Sequence, residues 1–194
     1  MMNKFSASVC GLLLAIVAHI AVTAHAESFP VKPVRLIVPF PPGGGTDILA
    51  RPLAQKLTER WGQQAIVDNR AGAGGGIGSD LAAKSLPDGY SMVLGTNGTH
   101  GINQSLYRSM PYDTLKDFTP VTEVAIAPNI LVLHPSIAAN SVRELIALAK
   151  AKPGALNYAS PGNGTPPHLA AEIFKRMAGV ELTHVPYKGA GPAV

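Results

Sequence analysis

Chemistry in this chain concentrates at two glycine-bearing turns. Residues 34–47 read Val-Arg-Leu-Ile-Val-Pro-Phe-Pro-Pro-Gly-Gly-Gly-Thr-Asp, and residues 157–168 read Asn-Tyr-Ala-Ser-Pro-Gly-Asn-Gly-Thr-Pro-Pro-His. In each, a short β-prone run breaks at proline, a glycine stretch follows, and a helical pattern opens. The first N–H groups of a helix have no acceptor within it and carry the positive end of its dipole. Glycine removes the Cβ that would keep a ligand from that backbone. Both turns are therefore suited to hold an anion. Thr46, Asp47 and Thr165 stand at the helix starts, where a side-chain oxygen either caps a backbone N–H or meets a ligand. His100 and His168 add two imidazoles, each able to hydrogen-bond a ligand or serve the structure.

Other chemistries lose their support on spacing. Counted from Gly43, Gly72 or Gly74, the third glycine of a dinucleotide fingerprint falls on Ile48, Ile77 or Ser79. No G-x-x-x-x-G-K-[ST] occurs either. Metal sites need several ligands at suitable spacing, and there is no H-x-x-x-H or H-E-x-x-H pattern. Ser160 lies in Tyr-Ala-Ser-Pro-Gly rather than a G-x-S-x-G elbow. No acidic pair suggests glycoside hydrolysis. Lys188, in Pro-Tyr-Lys-Gly, either meets an anion or stays solvated. The pattern is one of binding loops, with no catalytic residue, metal site or cofactor expected.

The elements that must position these turns alternate. Residues 34–38 predict a buried strand. Residues 47–61 predict a helix, with Ile48, Leu49, Leu53 and Leu57 at helical spacing, Pro52 fitted near its first turn and Gly62 at its end. A strand at 65–67, a glycine-dense loop at 71–78, a helix at 77–84 and a strand at 90–94 follow. A further polar loop covers 95–100. Strand, helix, strand, helix, strand argues for a parallel sheet covered by helices. Ligands bind outside the carboxyl ends of such strands, so the loops at 40–47, 69–78 and 95–100 should meet on one side. Two apolar runs, 121–124 and 129–133, suit an extended crossing between lobes. Ser141-Val142-Arg143-Glu144 is a capping box opening a helix to about Lys150. A strand at 155–159, the second glycine loop at 160–165, a helix at 166–177 capped by Thr165, and a strand at 182–185 complete the pattern. The second half repeats the first in kind, which implies two lobes, 27–124 and 125–194.

Composition sets the class. The 194 residues are 46% hydrophobic and 14% charged, enough to bury a core. Residues 1–26 read as a secretory leader: Lys4, an apolar stretch over 11–22 and a small-x-small cleavage site at Ala24-His25-Ala26. The sole cysteine, Cys10, leaves with that leader, so the exported chain has neither disulfides nor thiolate metal sites. Export without disulfides suggests a bacterial periplasm. The formal charge of +4 falls to +3 when Lys4 is removed. Its basic residues are scattered, without the basic and aromatic stripe of a nucleic-acid binder.

Five segments together resemble a known family. They are residues 34–47, Asn-Arg-Ala-Gly-Ala at 69–73, Pro-Asp-Gly-Tyr at 87–90, Gly-Asn-Gly-Thr-Pro-Pro-His-Leu at 162–169 and His-Val-Pro-Tyr-Lys-Gly at 184–189. They look like the Bug-type periplasmic solute-binding receptors of tripartite tricarboxylate transporters. The resemblance implies a two-lobed α/β periplasmic binding-protein fold, type II-like, each lobe a mostly parallel sheet flanked by helices. It implies capture of a small carboxylate by Phe40, Gly43, Gly44, Thr46 and Asp47 from one lobe. Ser160, Gly162, Gly164, Thr165 and His168 would grip it from the other, with Thr96 and Asn97 lining the cleft. Delivery would be to a two-component membrane permease. Family members are longer and return to the first lobe. The resemblance therefore implies an incomplete second lobe and low stability for the 194-residue product alone. Two other readings compete: an exported enzyme acting on a carboxylate, with His168 or His100 as base, and a non-functional remnant of the receptor.

Overall fold

The computed structural model describes residues 29–194, so the expected leader, residues 1–26, lies outside the described residues. Lys32–Val194 form one compact unit.

The first sheet is organised by β1 (Val34–Val38), whose residues are buried except at Arg35. A five-residue run this apolar has to be covered on both faces, and a central parallel strand achieves that. β1 lies between β2 (Ala65–Asn69) and β3 (Ser91–Val93), in the order β2-β1-β3, with both pairings parallel. Between β1 and β2 runs α1 (Gly45–Trp61); between β2 and β3 runs α2 (Gly76–Ala83), entered through a 3-10 turn at Ala73–Gly75. The core joins Leu36, Val38 and Leu94 to Ala50 and Ala54 of α1, with Leu53, Ala65, Val67 and Met92 around them. Alanines on the inner face let the helix approach the sheet closely.

Several boundaries differ from the sequence expectation. α1 starts two residues earlier than Asp47, so Pro52 lies eight residues in rather than in the first turn. Its missing N–H leaves the Ile48 carbonyl without its helical donor. Ile48 and Pro52 are both exposed, so the lost hydrogen bond falls on the solvent side of the helix. β2 runs two residues further than expected, to Asn69, because all five of its residues pair with β1. The loop expected at 95–100 winds instead into a π-helical turn, Gly98–Ile102, continued by α3 (Asn103–Leu106).

Residues 118–134 form neither helix nor strand. The two apolar runs expected there pair with no strand among the described residues, and Val121, Ile126, Ile130 and Val132 are 72–83% exposed. α4 (Val142–Ala151) begins at the capping box: the Ser141 hydroxyl accepts from the Glu144 N–H at 3.2 Å. The Glu144 carboxylate reaches one residue further back than a standard box, to the Asn140 N–H at 2.7 Å. A second sheet pairs β4 (Asn157–Ser160) in parallel with β5 (Thr183–Pro186), linked by α5 (Pro166–Ala178). A 3-10 turn at Gly191–Ala193 follows β5.

Candidate functional site

The turn after β1 is held by Asp47. Its carboxylate, 2% exposed, accepts from the Gly43 N–H at 2.9 Å, from Asn69 Nδ2 at 3.0 Å and from Arg51 at 2.8 and 3.1 Å. The Arg51 hydrogen bonds, helped by Gly43 and Asn69 and opposed by burial, lower its pKa to about 2. Asp47 is thus the anchor of the turn rather than its N-cap. Gly44 occupies the cap position and offers no side chain. Asn69, at the end of β2 and in register with Val38, also donates to the Phe40 carbonyl at 3.0 Å. Asp47 and Asn69 saturate each other, which leaves the helix start itself open. Among the described residues nothing accepts from the N–H groups of Gly45, Thr46 or Asp47.

The turn after β4 is built differently. Thr165 is the N-cap of α5, as expected, yet its hydroxyl donates backward to the Gly162 carbonyl at 2.7 Å. Pro166 and Pro167 have no N–H, so an N-cap oxygen finds no donor at the second helical position. The two helix starts differ: among the described residues α5 has one open first-turn N–H, that of His168, against three in α1. The His168 imidazole reaches back to accept from the Gly164 N–H at 3.3 Å. Ser160, 1% exposed, contacts Gly162 N–H at 3.2 Å and His184 Nε2 at 2.7 Å.

These turns converge. Tyr107 donates to the Asn163 carbonyl at 3.3 Å, and Asn103, fully buried, donates to the Gly74 carbonyl at 3.3 Å. Two glycines permit the close approach. A Cβ on Gly74 (φ +60°) would lie 2.4 Å from the Asn163 carbonyl oxygen. One on Gly164 (φ +77°) would lie 2.5 Å from Asn103 Oδ1. The loop after β5 also arrives, with Gly189 against the Pro41 ring. Of the third expected loop, Thr96 is committed to a reciprocal cap with Thr99 (2.9 and 3.2 Å), while Asn97 is exposed. Phe40 sits half-buried, with its ring against Gly75. The loops at 40–47, 73–75, 95–103 and 160–165 therefore gather at the carboxyl ends of the strands. A 410 Å³ concavity along residues 104–117 includes none of the expected site residues.

The histidines separate by environment. His100 packs edge-on to Phe118 at 4.6 Å and near Tyr112, bonds Thr99 Oγ1 at 2.8 Å, and is held below its usual pKa by burial. It is a packing residue. His168 stacks on His184 at 4.4 Å, and His184 stacks on Tyr158 at 4.7 Å. Among the described residues no three His, Cys, Asp or Glu side chains gather as a metal set, and no helix is long and apolar enough to cross a membrane. Asn69, Asn103, Tyr107 and His184 were not foreseen as site residues. Asn69 ends β2, Asn103 opens α3, Tyr107 follows it and His184 lies within β5, each with a partner distant in sequence, and the only available signal was the position of Asn69 and His184 inside family-like segments.

The geometry can be set beside known proteins. Residues 49–194 match the model of the tripartite tricarboxylate transporter family receptor. Protein BugT of Bordetella pertussis is 43% identical over 188 residues, covering 96% of this chain and 57% of that protein. The structure of Rhodopseudomonas palustris Rpa4515 with adipate superposes with a TM-score of 0.83 at 45% identity, over 85% of this chain and 55% of that one. MatC from Rhodopseudomonas palustris, with bound malate, gives 0.80 at 33% identity, over 85% and 56%. The chain spans about half the length of the relatives it matches.

Proposed function

The chain belongs to the tripartite tricarboxylate transporter receptor family, and from that premise we propose that it is an extracytoplasmic receptor for a small dicarboxylate. The observation that carries this reading is the α1 start: three N–H groups without acceptors, at the carboxyl end of β1, with the turn already anchored by Asp47 and Asn69. An arriving carboxylate meets preformed donors and the positive end of a helix. No internal carboxylate competes, because Asp47 is already engaged by Gly43, Asn69 and Arg51.

Ligand-binding residues in this reading are Phe40, Gly43, Gly44, Thr46 and Asp47 for the first turn, with Asp47 acting as its brace. Ser160, Gly162, Gly164, Thr165 and His168 serve the second turn, and Thr96 and Asn97 the third. The dicarboxylate class is supported by the adipate and malate of the two similar structures. Leader-like residues 1–26 support a periplasmic location, and the family supports hand-over to a two-component membrane permease. Binding by loops that close on the ligand would shift a population of open and closed forms through differential contacts, without chemistry.

The test is Gly45→Pro. Proline is favoured at the first helical position and removes one open N–H. Gly44 is extended (ψ 166°), as a residue before proline should be, and nothing lies within 4 Å of a Cβ at position 45. Calorimetric titration with adipate and malate is expected to show affinity reduced by about tenfold or more, the scale of a hydrogen bond to a charged group. The melting midpoint should not fall. Unchanged affinity for a dicarboxylate that does bind would remove α1 from the site.

A further inference from the structure

The second turn contains a proton arrangement that its glycine and threonine pattern does not explain. A hydroxyl has one proton to donate and two lone pairs to accept with. Around Ser160 Oγ stand three groups: the Gly162 N–H at 3.2 Å, the Gly162 carbonyl at 3.3 Å and His184 Nε2 at 2.7 Å. The first fills one lone pair. The second already accepts from Thr165 Oγ1 at 2.7 Å and from the Thr165 N–H at 3.3 Å. The direction of the Ser160 proton therefore depends on His184. If His184 carries its proton on Nδ1, Ser160 donates to Nε2 and has nothing left for a ligand. If the proton is on Nε2, the imidazole donates to Ser160, both lone pairs are filled, and the O–H is left seeking an acceptor.

We propose that His184 is a positioning residue for carboxylate capture. In the bound state its Nε2–H donates to Ser160, so that the Ser160 hydroxyl donates to the carboxylate. This rests on the receptor reading above. The imidazole is oriented for the role by stacking on Tyr158, its cross-strand partner in register, at 4.7 Å and 16°. It also stacks on His168 at 4.4 Å and 26°. The His168 ring is tied elsewhere in the turn, its Nδ1 accepting from the Gly164 N–H, and it is the His184 Nε2 that lies against Ser160 Oγ. Neighbouring charges reach the stack from α5: Glu172 accepts from Tyr158 at 2.5 Å and from Lys175 at 2.7 Å. Burial foremost, then His168, holds the His184 pKa below its usual value, which keeps it a neutral ring with a choice of tautomer.

The experiment is nitrogen NMR of the imidazoles in the 15N-histidine-labelled protein, titrated with adipate while binding is followed by calorimetry. His184 in the saturated protein is expected to show a protonated Nε2 and a bare Nδ1. Binding with a bare Nε2 overturns the proposal and leaves the receptor reading intact; no binding of adipate or malate overturns both. A mutant cycle adds a readout that loss of stacking alone would not produce. His184→Leu should weaken adipate by about tenfold in the wild-type background, and by less than twofold when Ser160→Ala is already present. His184→Gln, which retains an amide donor, should recover part of the loss. Equal losses from His184→Leu in both backgrounds, at matched melting midpoints, would make His184 a packing residue only.

Discussion

Asp47 shows how one side chain braces a turn from within. Three donors converge on a carboxylate that is almost fully buried, and its pKa falls from 3.8 to about 2. A group whose folded pKa is depressed stabilises the fold above its unfolded pKa, and that contribution disappears as pH falls through the folded value. The shift corresponds to about 2 kcal/mol. The exposed Arg51 partner is screened by solvent, so ~1–2 kcal/mol is the expected worth at neutral pH. Asp47→Asn should therefore lower stability by that amount at pH 7 in urea titrations. The gap between variant and wild type should close as pH is lowered from about 4 to about 2. A gap that persisted at pH 2 would mean that packing, rather than charge, is what Asp47 supplies.

At the scale of elements, the α/β periplasmic binding-protein fold, with parallel sheets flanked by helices, was legible because its signals are local. The apolar run of β1, the glycine after α1 and the capping box of α4 each act within a few residues. Ser141→Ala tests the last of these, with an expected loss of about 1 kcal/mol by chemical denaturation. Intact stability would show that the Glu144–Asn140 contact alone fixes the start of α4. What stayed hidden depends on distant partners. The helix through Pro52 was expected, but its start at Gly45, two residues before Asp47, was not. Thr165 donates backward to the Gly162 carbonyl although the His168 N–H is left open beside it; the two prolines remove only the second-position donor, and that choice shows only once the cap geometry is known. The convergence of Asn103, Gly74 and Asn163 has no sequence signature, since nothing local links them.

Across residues 29–194, burial is unevenly distributed. β1 and the inner face of α1 are closed, whereas α5 has no fully buried residue and the segment 118–134 lies open. Ile126, Ile130 and Val132 are 83%, 78% and 72% exposed and close together in sequence. Scattered exposed apolar residues are ordinary, but a run of them with strand propensity and no pairing partner among the described residues is, in this 194-residue chain, a surface for dye binding and self-association. Their side chains bury little, so replacing them costs the fold little. The triple variant Ile126→Lys, Ile130→Lys, Val132→Lys should bind less of the dye ANS and remain monomeric to higher concentration in light scattering. Its unfolding free energy from urea titration should match the wild type to within about 0.5 kcal/mol. Adipate binding should survive, because the proposed contacts lie at the strand ends, in the segments 40–47, 96–97 and 160–168. A cooperative loss of stability instead would show that these side chains are packed in solution, and the open surface would then have to be sought on α5, around Ile173 and Met177.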